Sequence, residues 1–484
     1  MISKAHSFPD QRGRMQYRCL GCRRVFGVND LLYTCPQCGE VFLLEDTDFD
    51  ALRAAPAGEW RDLFDQRAAS KVKELRGIFR FYELIAPVLE QEDIVYLGEG
   101  NTPIVESCRD LSRHVGLKLA FKNDGQNPSA SFKDRGMACA FSQLRALVRK
   151  NNWPEVLTIC ASTGDTSASA ALYAAYMSKA IKSAVILPQG KVTPQQLAQP
   201  LGSGATVIEV PGVFDDCMKI VESLAENYRV ALLNSKNAWR ILGQESYAFE
   251  TAQWYDWDLA DKAIFVPIGN AGNITAVMSG MLKLHKLGII EVLPRLFGVQ
   301  SSHADPVYRY YQAAPGQRVW HPVSVSPSVA QAAMIGNPVS FPRVRHFAET
   351  YQKVGGEGSF QVVQVSEQAI IEAMLLANRH GHIACTQGGE CLAGLMRAKE
   401  LGLISADETA VLDSTAHMLK FIGFQEMYFN DSFPDRYGIK PDKSRINQPL
   451  NILTPEEKAV MSEGEFTGNA AAMIAERLAL SRRG

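Results

Sequence analysis

Lys133 lies among small polar residues in the segment NPSASFKDRGM, residues 127–137, at a predicted helix start. Ser131 is the expected N-cap, with Asp134 three residues later as in a capping box, so that Lys133 falls in the first turn. A cation there opposes the helix dipole, at a cost of about 0.3–1 kcal/mol when exposed and more when partly buried. A lysine that reacts as a neutral amine, or that is held as an imine, is favoured in this position. The segment therefore indicates a nucleophilic lysine, and a solvated first-turn lysine is the alternative.

A second distinctive stretch is the loop GNAGN, which comes between a short apolar run and a helix-like pattern. Its members are Gly269, Asn270, Ala271, Gly272 and Asn273. Backbone N–H groups at a helix start bind anions and glycines allow close approach, so the loop predicts a phosphate site. Taken alone, such a loop is equally typical of a plain turn. Together with Lys133, it fits an aldehyde cofactor that carries a phosphate, namely pyridoxal 5′-phosphate bound as a Schiff base.

Two C-x-x-C pairs, Cys19 with Cys22 and Cys35 with Cys38, are separated by twelve residues near the N-terminus. Four thiolates at this spacing can surround Zn²⁺ tetrahedrally. The segment is too short to bury a core of its own, so a structural metal would fold it. Because all four ligands are protein groups, no coordination position remains open, and the expected Zn²⁺ is structural. A degenerate ribbon with reduced thiols is the alternative.

The amino-acid composition limits the classes of protein to which this chain can belong. The chain has 484 residues, 46% hydrophobic and 21% charged, with a net charge of −2. These values are typical of a multidomain globular protein and give no electrostatic reason to expect nucleic acid or an anionic membrane as a partner. The first residues lack the apolar region of a signal peptide, and no apolar run reaches the ~18 residues of a membrane helix. Because ten cysteines in a chain of this length also suit a reducing compartment, a cytoplasmic location is expected.

The elements that position these residues follow a simple alternation. From residue 118 onward, short apolar runs are followed by polar turns and then by helix-period stretches. VLTIC leads through ASTGDTS into a helix, AIFVPIG through NAGN, and TAVLD through STAH. This order predicts an α/β protein with open, mainly parallel sheets covered by helices. Ligands of such sheets bind at the carboxyl ends of the strands, so the chemistry is expected in these polar loops.

Several segments resemble those of the threonine synthases, which belong to the tryptophan-synthase-β-like family. They are LGEGNTP, NPSASFKDRGM, ASTGDTSASAALYAAY, LLNSKNAWRILGQESYAFE, PIGNAGNITA and IGNPVSF, in the same order over roughly residues 95–425. The resemblance implies a fold type II pyridoxal-phosphate enzyme, with two open α/β domains and the cofactor in the cleft between them. The expected organisation is a zinc-ribbon-like module (1–45), a helical connector (46–95), a catalytic region (96–450) with a small domain at about 125–236 inserted in the large one, and a helical tail (451–484).

The resemblance also implies roles for individual residues. Lys133 would bind the cofactor as a Schiff base and, once displaced, move protons among the substrate carbons. The GNAGN loop would hold the cofactor phosphate, Asp165 would lie by the 3′-oxygen, and Thr415 would hydrogen-bond the pyridine nitrogen. The substrate carboxylate would be held by Ser162, Thr163 and Thr166. The substrate phosphate would be held by Asn234, Ser235 and Arg240, whose forked guanidinium suits phosphate.

With these roles the implied reaction is the conversion of O-phospho-L-homoserine and water to L-threonine and phosphate. The alternatives are a cysteate synthase acting on O-phosphoserine and sulfite, a serine/threonine dehydratase, and a non-enzymatic zinc-ribbon interaction protein. A dehydratase does not need Arg240, whereas a cysteate synthase does, and an intact Lys133 disfavours a non-enzymatic role. A homodimer is one option that the sequence leaves open.

Three departures from the family pattern bear on these roles. Ala130 stands where many relatives have Gly, a small steric change. Asp165 stands where some branches have Asn, and an ionised carboxylate beside a phenolate oxygen is unfavourable unless a proton is shared. Ala416 and Met418 replace the glycines of a T-G-H-G pattern, which leaves the conformation around Thr415 in question.

Overall fold

The computed structural model describes residues 5–162, 164–177, 180–189, 194–212 and 214–482. By its internal contacts the chain forms two compact units. One consists of Met1–Phe424 with Pro434–Ile439, and the other of Gln425–Phe433 with Lys440–Gly484. The domain boundaries expected from the sequence stay a prediction.

An antiparallel three-stranded sheet comes first in the chain. Its strands are β1 (Met15–Cys19), β2 (Val25–Gly27) and β3 (Phe42–Asp46), in the order β2-β1-β3. Tyr17 stacks on Phe42 with ring centroids 5.1 Å apart, and Phe26 meets Phe42 edge-on at 5.5 Å. Tyr17 and Phe42 belong to the same buried hydrophobic cluster as the helices of the following region. The small sheet therefore relies on the main core for its hydrophobic burial.

Helices and 3₁₀ turns occupy the connector that follows the small sheet. The two α-helices are α1 (Ala57–Ala68) and α2 (Tyr82–Ile85). Arg67 donates to Glu83 through both terminal nitrogens, at 2.6 and 2.7 Å, and both side chains are buried. This two-pronged ion pair joins α1 to α2, so the connector is held at a defined place and does not act as a loose linker.

The next segment contributes its first two strands to a larger sheet, described below, and its other four to a parallel sheet of their own. Its elements are β4 (Ile104–Glu106), α3 (Arg109–Val115), β5 (Lys118–Asn123), α4 (Lys133–Asn151), β6 (Val156–Ala161), α5 (Asp165–Tyr176), β7 (Ile181–Pro188), α6 (Pro194–Gly202), β8 (Thr206–Val210), α7 (Phe214–Asn227), β9 (Val230–Leu232), α8 (Ala238–Gln244) and α9 (Ser246–Trp254). Strands β8, β7, β6 and β9 pair in that order, all parallel. Each βα turn therefore opens at the same edge of the sheet.

The remaining strands complete a six-stranded sheet in the order β12-β11-β10-β13-β5-β4. The elements are β10 (Lys262–Pro267), α10 (Gly272–Lys286), β11 (Arg295–Ser301), α11 (Pro306–Gln312), α12 (Phe341–Gly355), β12 (Phe360–Val365), α13 (Glu367–Arg379), α14 (Thr386–Glu400), β13 (Thr409–Ser414) and α15 (Ile422–Phe429). All pairings are parallel except that of β4 with β5 at the edge. The predicted architecture of two open, mainly parallel sheets is confirmed.

Buried charges link the helix that carries Lys133 to both neighbouring segments. Arg135, in α4, donates to Asp124 at 2.8 Å and to Glu250 at 2.7 Å. Lys122 donates to Glu250 at 3.0 Å, and Arg80 lies 3.4 Å from the same carboxylate. Because these groups are buried and pair with opposite charges, they fix the start of α4 against β5 and α9.

The C-terminal residues form two short, exposed helices. These are α16 (Pro455–Ala459) and α17 (Glu463–Arg477), and each begins with a capping box, Thr454 with Glu457 and Ser462 with Glu465. The helical character expected for this tail is present. In the described part of the chain, no helix is both long and apolar enough to cross a membrane.

Candidate active site

Lys133 is the first residue of α4, and its side chain lines a pocket between loops of the two parallel sheets. Its Nζ lies 4.2 Å from the centre of the Phe132 ring. Desolvation, and secondly the positive charge of Arg240, lowers the pKa of Lys133 to about 8. A larger fraction of the amine is therefore neutral near neutral pH than for an ordinary lysine, which favours a nucleophile.

The predicted N-cap at Ser131 is wrong. Helix α4 begins at Lys133 with Phe132 at the N-cap position, and no side-chain cap forms there within the described residues. Asp134 instead accepts hydrogen bonds from Ser129, from N at 2.6 Å and from Oγ at 2.7 Å. The carboxylate is buried, and it bonds to Ser129 because the loop before Lys133 folds back over the helix start. Burial raises the pKa of Asp134 to about 6.

Two loops meet beside Lys133. Phe132 N donates to Thr415 O at 2.8 Å, and His417 N donates to Ala130 O at 3.0 Å. Ala130 has φ of 63°, in the left-handed region that costs a non-glycine residue roughly 1–2 kcal/mol. The departure at Ala130 is thus a matter of backbone strain, beyond the small steric change expected from the sequence.

The loop around Thr415 does not require the glycines of the family pattern. Ala416 and Met418 are absent from the left-handed residues of the described chain. The position in this region that requires glycine is Gly125, because the backbone of His417 lies so close that a Cβ at Gly125 would be 2.5 Å from His417 N. The alanine and the methionine therefore impose no strained φ next to Thr415.

The GNAGN loop joins β10 to α10 and lines the same pocket as Lys133. At Gly269 a Cβ would lie 2.9 Å from Ala333 Cα, so only glycine fits without a shift. Ala271 has φ of 63° and precedes Gly272, the first residue of α10. The first N–H groups of a helix have no partner within it, and here they belong to residues that line the pocket. The loop is thus a suitable cradle for a phosphate.

Arg240 supplies a second anion site in this pocket. It lies in α8 with 2% of its surface exposed, and Nη1 donates to Leu233 O at 3.0 Å. Within the described structure, its Nε has no hydrogen-bond partner and its guanidinium pairs with no carboxylate. Burial lowers the pKa of Arg240 to about 10. A buried cation without a counterion is costly, so the site is suited to an anionic ligand.

Asp165 is the first residue of α5 and has a partner that the sequence did not reveal. Lys420 Nζ lies 3.0 Å from Asp165 Oδ1 and also donates to Ser129 O at 2.9 Å and to Gln199 Oε1 at 2.7 Å. The positive charge of Lys420 balances the negative charge of Asp165, which would otherwise be unfavourable beside a phenolate oxygen. The sequence indicated only that an ionised Asp165 beside a phenolate oxygen is unfavourable unless a proton is shared, and it gave no sign of a lysine partner.

Thr415 lies at the end of β13, buried in the same pocket, with its Oγ1 3.6 Å from Cys385 Sγ. Two glutamines that sequence reasoning missed also line this pocket. Gln387 and Gln244 are buried, and in the described chain both amide atoms of Gln387 and the Oε1 of Gln244 have no protein partner. Such groups need a ligand or water to satisfy them, and no motif distinguished them in the sequence.

The structure gathers only part of the predicted substrate set. Ser235 lines the pocket with Arg240, whereas Ser162, Thr166 and Asn234 are not among its lining residues in the described structure. The Ser162 hydroxyl accepts from Gly164 N at 3.3 Å, and the Asn234 amide oxygen accepts from Lys236 N at 2.9 Å. The predicted role of Thr163 lies outside the described residues.

The four N-terminal cysteines come together as their spacing predicted. Their sulfur atoms all lie within 4.8 Å of one another, with 3.3 Å between Cys19 and Cys38 and 3.5 Å between Cys22 and Cys35. Zn–S bonds of about 2.3 Å give a tetrahedral S···S edge of about 3.8 Å, so the thiols fit a zinc ion after a small expansion. The turns after each pair use left-handed residues, Arg23 and Gly39.

The pocket as a whole fits pyridoxal phosphate. It offers a buried amine with a lowered pKa, a helix N-terminus for a phosphate, a hydroxyl at Thr415 for the ring nitrogen, and unsatisfied amide groups at Gln387. A ring-shaped aldehyde with a phosphate arm would use all four.

Comparison with known proteins agrees with this geometry. The family model for pyridoxal-phosphate dependent enzymes matches residues 95–415. Threonine synthase of Methanocaldococcus jannaschii is 35% identical over 409 residues, which cover 84% of this chain and 93% of that protein. Threonine synthase 2, chloroplastic, of Arabidopsis thaliana is 34% identical over 376 residues, with 77% and 70% covered.

Solved structures share the fold. The crystal structure of threonine synthase from Escherichia coli aligns with a TM-score of 0.63 at 19% identity, covering 90% of this chain and 95% of that one. Maize serine racemase aligns with a TM-score of 0.54 at 19% identity, covering 73% and 98%. At such identity the structures establish the fold alone.

Proposed function

The chain belongs to the threonine synthase family of pyridoxal-phosphate-dependent enzymes, and from this premise we propose that it converts O-phospho-L-homoserine and water to L-threonine and phosphate. The observation that carries the proposal is the presence, in one pocket, of an amine with a lowered pKa and a buried arginine without a counterion. The amine, Lys133, suits an aldehyde cofactor, and the arginine, Arg240, suits a phosphorylated substrate.

Pyridoxal phosphate, when bound, supplies an electron sink for negative charge on the substrate carbons. The N–H groups of the GNAGN loop, Gly269–Asn273, would hold its phosphate, and Lys133 would bind its aldehyde carbon. Thr415 offers a hydroxyl to the ring nitrogen. This neutral partner leaves the nitrogen less protonated than a carboxylate would, which suits elimination. Asp165 would lie by the 3′-oxygen, and its charge is balanced by Lys420.

The remaining residues act on the substrate. Lys133 would take the proton from Cα, pass it to the substrate's phosphate, and then take the proton from Cβ, while Arg240 would stabilise the hydrogen phosphate that leaves Cγ. Lys133 would then give the proton taken from Cβ to Cγ. As the hydroxyl of water adds to Cβ, the proton of that water would reach Cα through Lys133, which gives threonine. Asn234 and Ser235 support Arg240 at the phosphate. Ser162, Thr163 and Thr166 bind the carboxylate in this scheme.

The alternatives are less well supported. The substrate of a serine/threonine dehydratase carries no phosphate and needs no buried cation to bind one, so Arg240 disfavours this function. A cysteate synthase shares the need for a phosphate clamp, and only its substrate distinguishes it. The relatives that cover most of this chain are named threonine synthases, which favours the γ-phosphorylated substrate.

One assay separates these functions. The purified holoenzyme is given O-phosphohomoserine, O-phosphoserine with sulfite, and threonine in separate reactions, and phosphate, amino-acid and keto-acid products are measured. We expect threonine and phosphate in equal amounts from the first reaction, and loss of both in Lys133→Ala. Keto acid from threonine without phosphate release from O-phosphohomoserine would refute the proposal.

Three further properties belong to the proposal. The four cysteines Cys19, Cys22, Cys35 and Cys38 bind one structural Zn²⁺, supported by their clustering. A homodimer, the option that the sequence leaves open, is tested by light scattering. A cytoplasmic location, expected from the sequence, is tested by cell fractionation.

A further inference from the structure

The cysteine-bearing sheet contacts the segment that carries Arg240. We call residues 234–240, which include the first residues of α8, the clamp loop. Trp239, next to Arg240, donates from Nε1 to the hydroxyl of Tyr17 on β1 at 2.9 Å, and both side chains are buried. A buried indole N–H and a buried hydroxyl satisfy each other here, so this bond links β1 directly to the clamp loop.

A second link passes through Arg343, in the first turn of α12. Its Nε donates to Phe42 O on β3 at 2.8 Å, and its terminal nitrogens donate to Ser235 O and Lys236 O, each at 2.9 Å. The side chain is 1% exposed, and every hydrogen bond that it makes in the described structure goes to a neutral oxygen. One rigid guanidinium thus ties β3 to the clamp loop.

The same helix start also reaches the phosphate cradle. Ser340 N donates to Asn270 O at 3.1 Å, and Ser340 Oγ donates to Ser235 O at 3.3 Å. The beginning of α12 therefore joins three pieces: the GNAGN loop, the clamp loop and the cysteine-bearing sheet. The distance between the two anion sites is set by this junction.

The contacts on the small sheet lie close to its cysteines. Tyr17 is two residues before Cys19, and Cys19 pairs with Phe42 in the register of β1 and β3. Phe42 is four residues after Cys38. A metal held by the cysteines would therefore fix the strand positions from which both links arise.

We propose that the cysteine-bearing sheet positions the substrate-phosphate clamp: Tyr17, through Trp239, and the Phe42 carbonyl, through Arg343, hold Arg240 in register with Lys133. Tyr17, Trp239 and Arg343 are positioning residues in this view. The inference rests on the proposed function in one respect, the assignment of Arg240 to the substrate phosphate.

The test uses the smallest change, Tyr17→Phe, in the full-length holoenzyme. We expect the inhibition constant of inorganic phosphate, and the KM for O-phosphohomoserine, to rise roughly 3- to 10-fold, the value of one buried hydrogen bond. The affinity for pyridoxal phosphate should be unchanged. The increase in Tm produced by inorganic phosphate, which needs no turnover, should shrink in parallel.

Matched controls separate positioning from general stability. Tyr82→Phe and Trp60→Phe remove buried hydrogen bonds to Leu89 O and Leu52 O, away from the clamp loop. They should lower Tm without changing phosphate inhibition. Because Tyr17 and Trp239 share one bond, Tyr17→Phe combined with Trp239→Phe should affect phosphate inhibition no more than Trp239→Phe alone.

The reference variant is Arg240→Lys, which distinguishes two kinds of failure. If Arg240→Lys weakens phosphate inhibition while Tyr17→Phe and Trp239→Phe do not, the positioning role is overturned and the proposed function stands. If Arg240→Lys itself leaves phosphate inhibition unchanged, the phosphate role of Arg240 is wrong, and the positioning role fails with it.

Discussion

Asp165 and Lys420 form a charge pair whose importance can be measured by cofactor affinity. Lys420→Met leaves the carboxylate without its partner at 3.0 Å. We expect the affinity for pyridoxal phosphate to fall roughly 10-fold or more, as when one member of a buried charge pair is removed. Asp165→Asn removes the charge that needs balancing, so the double variant should bind the cofactor nearly as the parent does. Titration followed by absorbance measures each affinity.

Lys286→Met is the control for this experiment, because Lys286 pairs with the exposed Asp50 at 2.7 Å and should leave cofactor affinity unchanged. Equal losses from Lys420→Met in the parent and in the Asp165→Asn background would contradict the charge-pair role. Lys420 would then be only a bridge between Ser129 and Gln199.

The reactivity of Lys133 should depend on pH with a known sign. Its pKa is lowered to about 8, so the rate at which the cofactor-free enzyme captures pyridoxal phosphate should rise with pH and level off above that value. Arg240→Met removes a nearby positive charge and should raise the midpoint. Asp165→Asn removes a negative charge and should lower it. Stopped-flow absorbance gives the rates, and a midpoint that moves in the opposite direction in either variant would disprove this electrostatic assignment.

At the level of single residues, the sequence was informative where chemistry and motif are local. The place of Lys133 at a helix start could be predicted within eleven residues, 127–137, and its role as the reactive amine stays a proposal. Lys420 could not be predicted, because it meets Asp165 only after the two sheets have folded. The cap at Ser131 was predicted wrongly because Asp134 bonds to Ser129, five residues upstream, and not to Ser131.

Among the elements, the cysteine-bearing sheet gives the next prediction. Cys35→Ser should abolish zinc binding, from about one Zn²⁺ per chain, because three thiolates remain and the buried fourth position loses its ligand. The variant should also unfold at a lower temperature, since the small sheet has no core of its own. Cys108→Ser, at an exposed cysteine outside the cluster, is the control. Full zinc content in Cys35→Ser, measured by elemental analysis, would rule out this site.

The parallel sheets were predictable from the alternation of apolar runs and helical stretches, because that pattern specifies βαβ units directly. The antiparallel edge strand β4 was not, since its three residues, Ile104–Glu106, carry no periodicity. Nor could the sequence show that β1 and β3 lie against the clamp loop. That contact joins residues 222 positions apart, Tyr17 and Trp239, and it depends on packing in the common core.

At the scale of the whole molecule, Glu250 joins four separate segments of the larger unit. Its carboxylate meets Arg135 at 2.7 Å, Lys122 at 3.0 Å and Arg80 at 3.4 Å, all buried. These cations hold the pKa of Glu250 well below its usual range. A carboxylate with a depressed pKa stabilises the fold above its unfolded-state pKa, and that contribution is lost as the pH falls towards the folded-state value.

We therefore expect Glu250→Gln to lower the free energy of unfolding by about 3–5 kcal/mol, because three buried cations lose their shared counterion. The difference in free energy of unfolding between the parent and the variant should be greatest near pH 7. It should decrease in acid, where the parent carboxylate itself becomes protonated. Urea denaturation at several pH values measures it. Glu400→Gln, which breaks the exposed pair with Arg397 at 3.0 Å, should change stability by less than about 1 kcal/mol. Comparable effects from the two substitutions would show that the buried network does not organise the molecule, and that Lys133 is held at the start of α4 by apolar packing alone.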